Sequence, residues 1–587
     1  MCSTCGCGAP PEELSKVEQV KVASNHLRGA LADELRVDTP AFGEESVQLL
    51  KFHGVYQQED RDRRKEARRL GLEKHHQMMV RTRVPGGVVS APAYLAHDDV
   101  AQRWGNGTMR VTTRQDFQLH GVLKGNLRAS IRAINDALLT TLGGCGDVER
   151  NIMSCPAPFS DRLRADVAGI LPRLVAALTP ATGAYHEIWL DGELAVSSAR
   201  VDDEPLYGEQ YLPRKFKTAI ALEGDNCVDV HANDLGLVAF RDGDGGLGGF
   251  NVLVGGGLGR TRNKPDTFAA VAVPLASVTP GQVIDVSRAV IMAQRDHGDR
   301  NNRRHARLKY LIADRGLPWF REQVQARVEF PLADPRDVRW PPVDDHLGWH
   351  EQTDGVWFLN LYVENGRIAD GDGNELRTAL RRIVETYQRV VRLTPQQNVI
   401  LSDIGDGERA EVERMLAAHG VAVNGGLHPI IARAMACPAL PTCGLAVAES
   451  ERVLPELIRA LASLIDELGL RDAGISTRMT GCPNGCARPY LGDIGLVGTT
   501  LGKYDVFLGG DTTGTRLNEL YAPAVRLEEI LNVLRGPLTA FATERAGDEA
   551  FGDWCQRMSV SLLRERFGLG AATGETGVVA TIPLVPA

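Results

Sequence analysis

Nowhere in the 587 residues do 18 apolar residues run together, and that absence argues against a membrane-spanning helix. Positive charge is in deficit. The 66 Lys and Arg against 75 Asp and Glu leave a net charge of −9, whereas a nucleic-acid binder needs a basic surface to neutralise phosphates. The first residues, Met1-Cys-Ser-Thr-Cys5, lack the basic and apolar regions of a secretory signal, so a cytoplasmic location is expected. Cysteine is scarce as well. Eleven in a chain this long do not make a disulfide-dense scaffold, and in a reducing compartment the question becomes which of them bind metal. Cys2, Cys5 and Cys7 fall in a terminal tail, while Cys145, Cys227 and Cys555 stand alone.

What is present is a duplication. Arg110-Val-Thr112-Thr-Arg114-Gln115 reads against Arg392-Leu-Thr394-Pro-Gln396-Gln397 at an offset of 282, and the same offset carries Cys155-Pro-Ala-Pro onto Cys437-Pro-Ala-Leu. Further on, Asn233-Asp-Leu-Gly-Leu-Val pairs with Gly492-Asp-Ile-Gly-Leu-Val, and Phe250-Asn-Val-Leu-Val-Gly-Gly with Tyr504-Asp-Val-Phe-Leu-Gly-Gly. Ordered matches of this kind predict two homologous halves, 75–335 and 345–587, packed about a pseudo-two-fold axis; the proline-rich segment from Pro335 to Asp345 reads as the linker. Short apolar runs ending in glycine suit buried strands, and Leu457, Leu461, Leu464 and Leu468 mark an amphipathic helix. The fold class is α+β, built twice.

The chemistry-bearing motif lies in the second half. Cys437-x5-Cys443 is followed by Cys482-Pro-Asn-Gly-Cys486, and prolines together with Asn484-Gly485 put both pairs in loops. Loop backbone can aim consecutive N–H groups at bound sulfur, which suits a thiolate-held iron–sulfur cluster. A structural zinc site is the competing reading, although zinc pairs usually have two to four intervening residues, and a zinc-stabilised, non-catalytic binding protein is the function that would go with it. Arg110, Thr112, Arg114, Gln118 and His120 alternate as on a strand, which would put all five on one face, either solvated or turned to a polyanion. Arg304, Arg307 and Lys309 are weaker candidates to meet a polyanion, since a charged helix surface explains them nearly as well. The string Val254-Gly-Gly-Gly-Leu-Gly259 looks like a dinucleotide loop, but Arg260-Thr-Arg-Asn-Lys-Pro follows in place of an apolar helix.

Thr480-Gly-Cys482-Pro-Asn-Gly-Cys486-Ala-Arg-Pro after Cys437-x5-Cys443 resembles the signature of the siroheme-containing sulfite and nitrite reductases. The resemblance extends to Phe52-His-Gly-Val-Tyr-Gln-Gln, Thr113-Arg-Gln-Asp-Phe-Gln-Leu-His-Gly, Tyr211-Leu-Pro-Arg-Lys215-Phe-Lys217 and Arg303-Arg-His-Ala-Arg-Leu-Lys-Tyr. It implies that Cys437, Cys443, Cys482 and Cys486 hold a 4Fe–4S cluster and that Cys486 also bridges to the siroheme iron. Siroheme carries eight carboxylates, and Arg110, Thr112, Arg114, Gln118 and His120 then become candidates to hold them. By motif position the substrate cations are Arg81, Arg150, Lys215 and Lys217, all from the first half, so the site is expected between the halves. The implied activity is six-electron reduction of sulfite to sulfide, with nitrite reduction as the rival. Its electron donor would be a separate protein, ferredoxin more readily than a flavoprotein. Cys155 is expected either to pack as a relic or to border the siroheme near Tyr56, a pair that some relatives crosslink.

The same resemblance divides the chain into a tail and wrapping segment (1–74), a first ferredoxin-like half-domain (75–148), a first siroheme and substrate domain (149–335), a second half-domain (345–425) and a cluster-bearing domain (426–587).

Overall fold

The computed structural model describes residues 14–191, 204–338, 340, 343–371, 373–423, 426–511 and 513–569. The tail with Cys2, Cys5 and Cys7 lies outside the described residues. Four five-stranded sheets organise them, in two matching pairs. Met153–Ser154, Thr218–Leu222, Leu235–Arg241, Leu247–Val254 and Val273–Val278 form one sheet in sequence order, parallel across its first three strands and antiparallel after them. Ala434–Ala436, Thr477–Thr480, Ile494–Thr500, Lys503–Leu508 and Glu519–Arg526 repeat that pattern. The central strands Leu235–Arg241 and Ile494–Thr500 are buried along nearly their whole length, which is why they read as continuous Gly, Leu and Val rather than as alternating residues.

The other pair of sheets is antiparallel, and its edges are exchanged. The first sheet runs Val55–Glu59, His76–Arg81, Phe117–Val122, Met109–Val111, and takes Arg367–Ile368 from the second half as its edge. The second runs Gly348–Thr353, Val356–Leu361, Val399–Gly405, Val391–Leu393, and takes Val88–Val89 from the first half. At each crossing a glycine with positive φ lies against the other half's backbone. A Cβ on Gly87 would stand 2.3 Å from the Leu393 carbonyl oxygen, and one on Gly366 would stand 2.3 Å from that of Val111. No side chain fits at either position.

The duplicated turns agree in detail. Thr112 Oγ1 accepts from the N–H groups of Arg114 and Asp116, while Thr394 Oγ1 accepts from those of Gln396 and Asn398. Gln115 and Gln397 both take left-handed φ, 58° and 72°. The helix Leu454–Glu467 buries Leu457, Leu461 and Leu464 against the second half's core, the stripe expected from their spacing. The described residues of the segment expected to be a linker are packed in part. Val338 and Trp340 join the apolar cluster around Cys227, and Arg336 exchanges two hydrogen bonds with the Asn251 side chain. Among the described residues no helix is long and apolar enough to cross a membrane.

Candidate active site

The two cysteine loops meet at the ends of Ala434–Ala436 and Thr477–Thr480, parallel neighbours that deliver Cys437 and Cys482 side by side. Backbone N–H groups aim at the sulfurs. Gly481 donates to Cys437 Sγ at 3.3 Å, Leu445 and Ala446 are directed at Cys443, and Asn484 at Cys482. Burial, with the neighbouring Cys486 adding to it, pushes the Cys482 thiol up to about 12 and raises those of Cys437 and Cys443. Thiolates here therefore depend on a positively charged group at the sulfurs. Four tetrahedral zinc ligands would lie about 4 Å apart. Among the described residues, no three of these four cysteines belong to a set whose ligand atoms fall within 4.8 Å of one another. That spread, with the N–H groups directed at sulfur, fits the larger 4Fe–4S cluster.

Cys486 is exposed, and it looks into a cavity between the halves. Arg114, Lys215, Lys217 and Arg307 line it from the first half, and Cys486 and Arg488 from the second. Arg81, Lys215 and Lys217 all lie within electrostatic reach of Cys486, and Arg150 lies close to Arg81 and Lys215. The four basic residues expected at the substrate are thus brought together. Burial, with Arg214, Arg150 and Arg307 nearby, brings Lys215 down to about 7, and Lys217 is lowered strongly for the same kind of reason.

Arg110, Thr112, Arg114, Gln118 and His120 do not lie on one strand. Thr112 and Gln115 fold the segment into a hairpin between Met109–Val111 and Phe117–Val122. Cross-strand pairing then does part of what the alternation was expected to do. Arg81, Gln118, Arg110 and Arg367 fall opposite one another in a row across four strands. Arg110 is engaged by Glu451 and the Ala436 carbonyl, and Arg114 by Asn233 Oδ1 and the carbonyls of Asn151 and Thr218. In contrast Gln118 Oε1, Arg81 Nε and both His120 ring nitrogens are buried without a hydrogen-bond partner. Burial, with Arg367, Arg110 and Arg81 close by, holds His120 neutral far below its ordinary value. Orphaned polar atoms beside a cationic cavity fit a polycarboxylate.

Arg307 and Lys309 are not a helix surface. Arg307 makes a two-pronged pair with Asp234 at 2.9 and 2.7 Å, and the buried Lys309 donates to the carbonyls of Gly257, Gly259 and Phe268. The glycine string is therefore pinned in place, and Arg260 N–H donates to the Pro483 carbonyl beside the second cysteine loop. Cys155 is not at Tyr56. The thiol hydrogen-bonded to Tyr56 is that of Cys145, whereas Cys155 donates to Asp225 Oδ2 at 2.9 Å.

Three contacts had no sequence signal. Arg61 donates to the carbonyls of Cys443 and Ala446, Thr113 Oγ1 to the Cys486 carbonyl at 2.9 Å, and Asp229 pairs with both Arg478 and Arg488 at 2.9 and 2.6 Å.

Family models match on both halves. The nitrite/sulfite reductase ferredoxin-like half domain matches residues 71–137 and 350–419, and the nitrite and sulphite reductase 4Fe-4S domain matches 173–332. A sulfite reductase (NADPH) hemoprotein beta-component of Acidithiobacillus ferrooxidans is 46% identical over 93% of this chain and 96% of its own length. The chain belongs to the nitrite and sulfite reductase family. A sulfite reductase (ferredoxin) of Synechococcus elongatus is 45% identical over 95% of this chain and 91% of that protein. The structure of the Mycobacterium tuberculosis NirA protein superposes with a TM-score of 0.75 at 24% identity, covering 94% and 97% of the two chains, which establishes the shared fold. Membership of this family implies siroheme and a 4Fe–4S cluster as cofactors. The matched 4Fe-4S domain span contains Cys227 but none of the four clustered cysteines, which sit in the second copy of that fold.

Proposed function

We propose that this chain is a sulfite reductase. The observation that carries the reading is the cavity in which Lys215 and Lys217 of one half face Cys486 of the other. Cys437, Cys443, Cys482 and Cys486 would hold the cluster, with Cys486 shared with the siroheme iron. Gln118 and His120, which keep unpartnered polar atoms in the buried interior, would help hold the siroheme carboxylates, while Arg110, Thr112 and Arg114 fix the hairpin that presents them. When bound, siroheme and cluster supply the iron and the electrons for reduction.

Everything else falls to the protein. Arg81 and Arg150 remain charged at any working pH and clamp oxyanions through fixed N–H geometry. Lys215, down at about 7, gives up a proton near neutrality, as each departing oxygen of sulfite requires. Sulfite is a dianion with three oxygens and gains more from a fourth cation than nitrite does, so Lys217 favours sulfite.

Electrons come from a separate protein. The glycine string is pinned by Lys309 and opens no helix, so nothing along it offers a dinucleotide site. The half-buried Cys443, beside the exposed Leu445 and Val447, marks the entry point to the cluster. Reduced ferredoxin is the proposed donor. The test is turnover of the purified chain with reduced ferredoxin or with NADPH, scored as sulfide formed. Sulfide with ferredoxin alone supports the assignment, and turnover with NADPH and this chain alone refutes the donor. An iron content well below about five per chain refutes the cofactor reading.

A further inference from the structure

The first half carries a second set of metal-ligating side chains that sulfite reduction does not use. Cys155 follows the strand Met153–Ser154, and Asp225 and Cys227 follow Thr218–Leu222. Their ligand atoms lie within 4.8 Å of one another. Asp225 and Cys227 are buried and Cys155 partly so. Strand register sets Cys155 in the position of Cys437 and Cys227 in that of Cys486. The trio is thus the first half's counterpart of the cluster site, but drawn tight enough for one ion. Ligands at zinc–sulfur and zinc–oxygen bond lengths stand about 3.5–4 Å apart.

We propose that Cys155, Asp225 and Cys227 bind a single divalent ion of the zinc class. Two thiolates and a carboxylate put three negative charges against two positive ones, and Arg164 Nη2, 2.9 Å from Asp225 Oδ2, balances the remainder. His346 Nε2 stands 3.3 Å from the same oxygen and orients the carboxylate, the role outer hydrogen-bond partners play at metal sites. Binding releases the two thiol protons to solvent and leaves every oxidation state unchanged. A neighbouring cavity lined by His346, Gln396 and Arg478 reaches the outer side of the trio, where Gln396 Nε2 donates to the Cys227 carbonyl at 3.0 Å. Since His346 lies just beyond the segment joining the halves, the ion would fasten that segment to the first half.

The experiment adds one equivalent of Zn²⁺ to the iron-loaded full-length protein, removes the excess, and measures zinc and iron per chain together with zinc K-edge absorption. The expected result is about one zinc per chain with two sulfur neighbours at about 2.3 Å. In Asp225→Asn and Cys227→Ala zinc retention should fall at least tenfold with iron content unchanged. His346→Gln, a milder change, should weaken zinc binding about 10–100-fold, and it decides the matter if the other variants fail to fold. Zinc retained equally by all variants, no zinc retained by the parent protein, or a Cys155–Cys227 disulfide in the purified chain would each overturn the site. Iron content and sulfide formation are read separately, so failure here is distinct from failure of the sulfite reductase assignment.

Discussion

Lys215 and Lys217 line the cavity at Cys486, and Arg81 and Arg150 stand close to them and to it. Strand register places Asn360, Ala432, Gly474 and Ser476 at the matching positions of the other half, three of them lining its own cavity. The arginines present there are occupied, Arg478 by Asp229 and Arg433 by the Gly474 carbonyl. Turns, sheets and crossing glycines agree between the halves almost bond for bond, yet four cations have four neutral counterparts. Scaffold and chemistry are therefore separable. The duplicated backbone supplies two concave places, and side-chain charge makes only one of them a home for an anion.

The sharpest way to break the comparison is at the paired cysteines. Cys486→Ser should abolish sulfide formation and alter siroheme and cluster absorption together, since one sulfur serves both. Cys227→Ser, at the mirrored position, should leave both absorption bands in place. A Cys486→Ser protein with an unaltered siroheme band would end the shared-ligand reading. Next come the lysines. Lys217→Met should lower sulfite turnover by ~10²–10³ with both chromophores intact, and nitrite turnover by less. Ser476→Met, its counterpart, should change neither. Equal losses on both substrates would remove the selectivity argument.

Asp229 is a buried ionic link between the halves, pairing a first-half carboxylate with Arg478 and Arg488, all buried. Asp229→Ala leaves two buried guanidiniums without it and should cost about 3–5 kcal/mol in denaturant unfolding. A loss under 1 kcal/mol would show that water or carbonyls replace it. The smallest effect is in pH. Lys215 keeps its proton below about 7 and loses it as pH rises through that value, so kcat/KM for sulfite should decline on the alkaline side, and Lys215→Arg should flatten that limb. Stability runs the other way. The unfolded lysine holds its proton to its ordinary value, so this residue's contribution grows as pH rises from about 7 toward that range. An alkaline limb unchanged in Lys215→Arg would reassign the proton to another group.

How much of this was legible depended on whether the signal was local. Cys437-x5-Cys443 and Cys482-x3-Cys486 announce themselves by spacing, and the duplication by ordered matches, because both are written contiguously. The hairpin was misread as a strand because Gln115 adopts left-handed φ although its residue type does not demand it. Arg307 and Lys309 looked like surface charge, since their partners Asp234, Gly257 and Gly259 are about 50 or more residues away. Cys145 rather than Cys155 reaches Tyr56 for the same kind of reason, as sheet packing and not chain distance decides which thiol arrives.

The exchanged edge strands bear on how the molecule can be taken apart. Each antiparallel sheet is finished by two residues lent from the opposite half, Val88–Val89 one way and Arg367–Ile368 the other. A cut in the joining segment would leave both pieces with an unpaired edge, open to any passing strand. The halves are thus clasped rather than merely adjacent: two separately produced fragments should be soluble only when made together, each serving as the other's missing border.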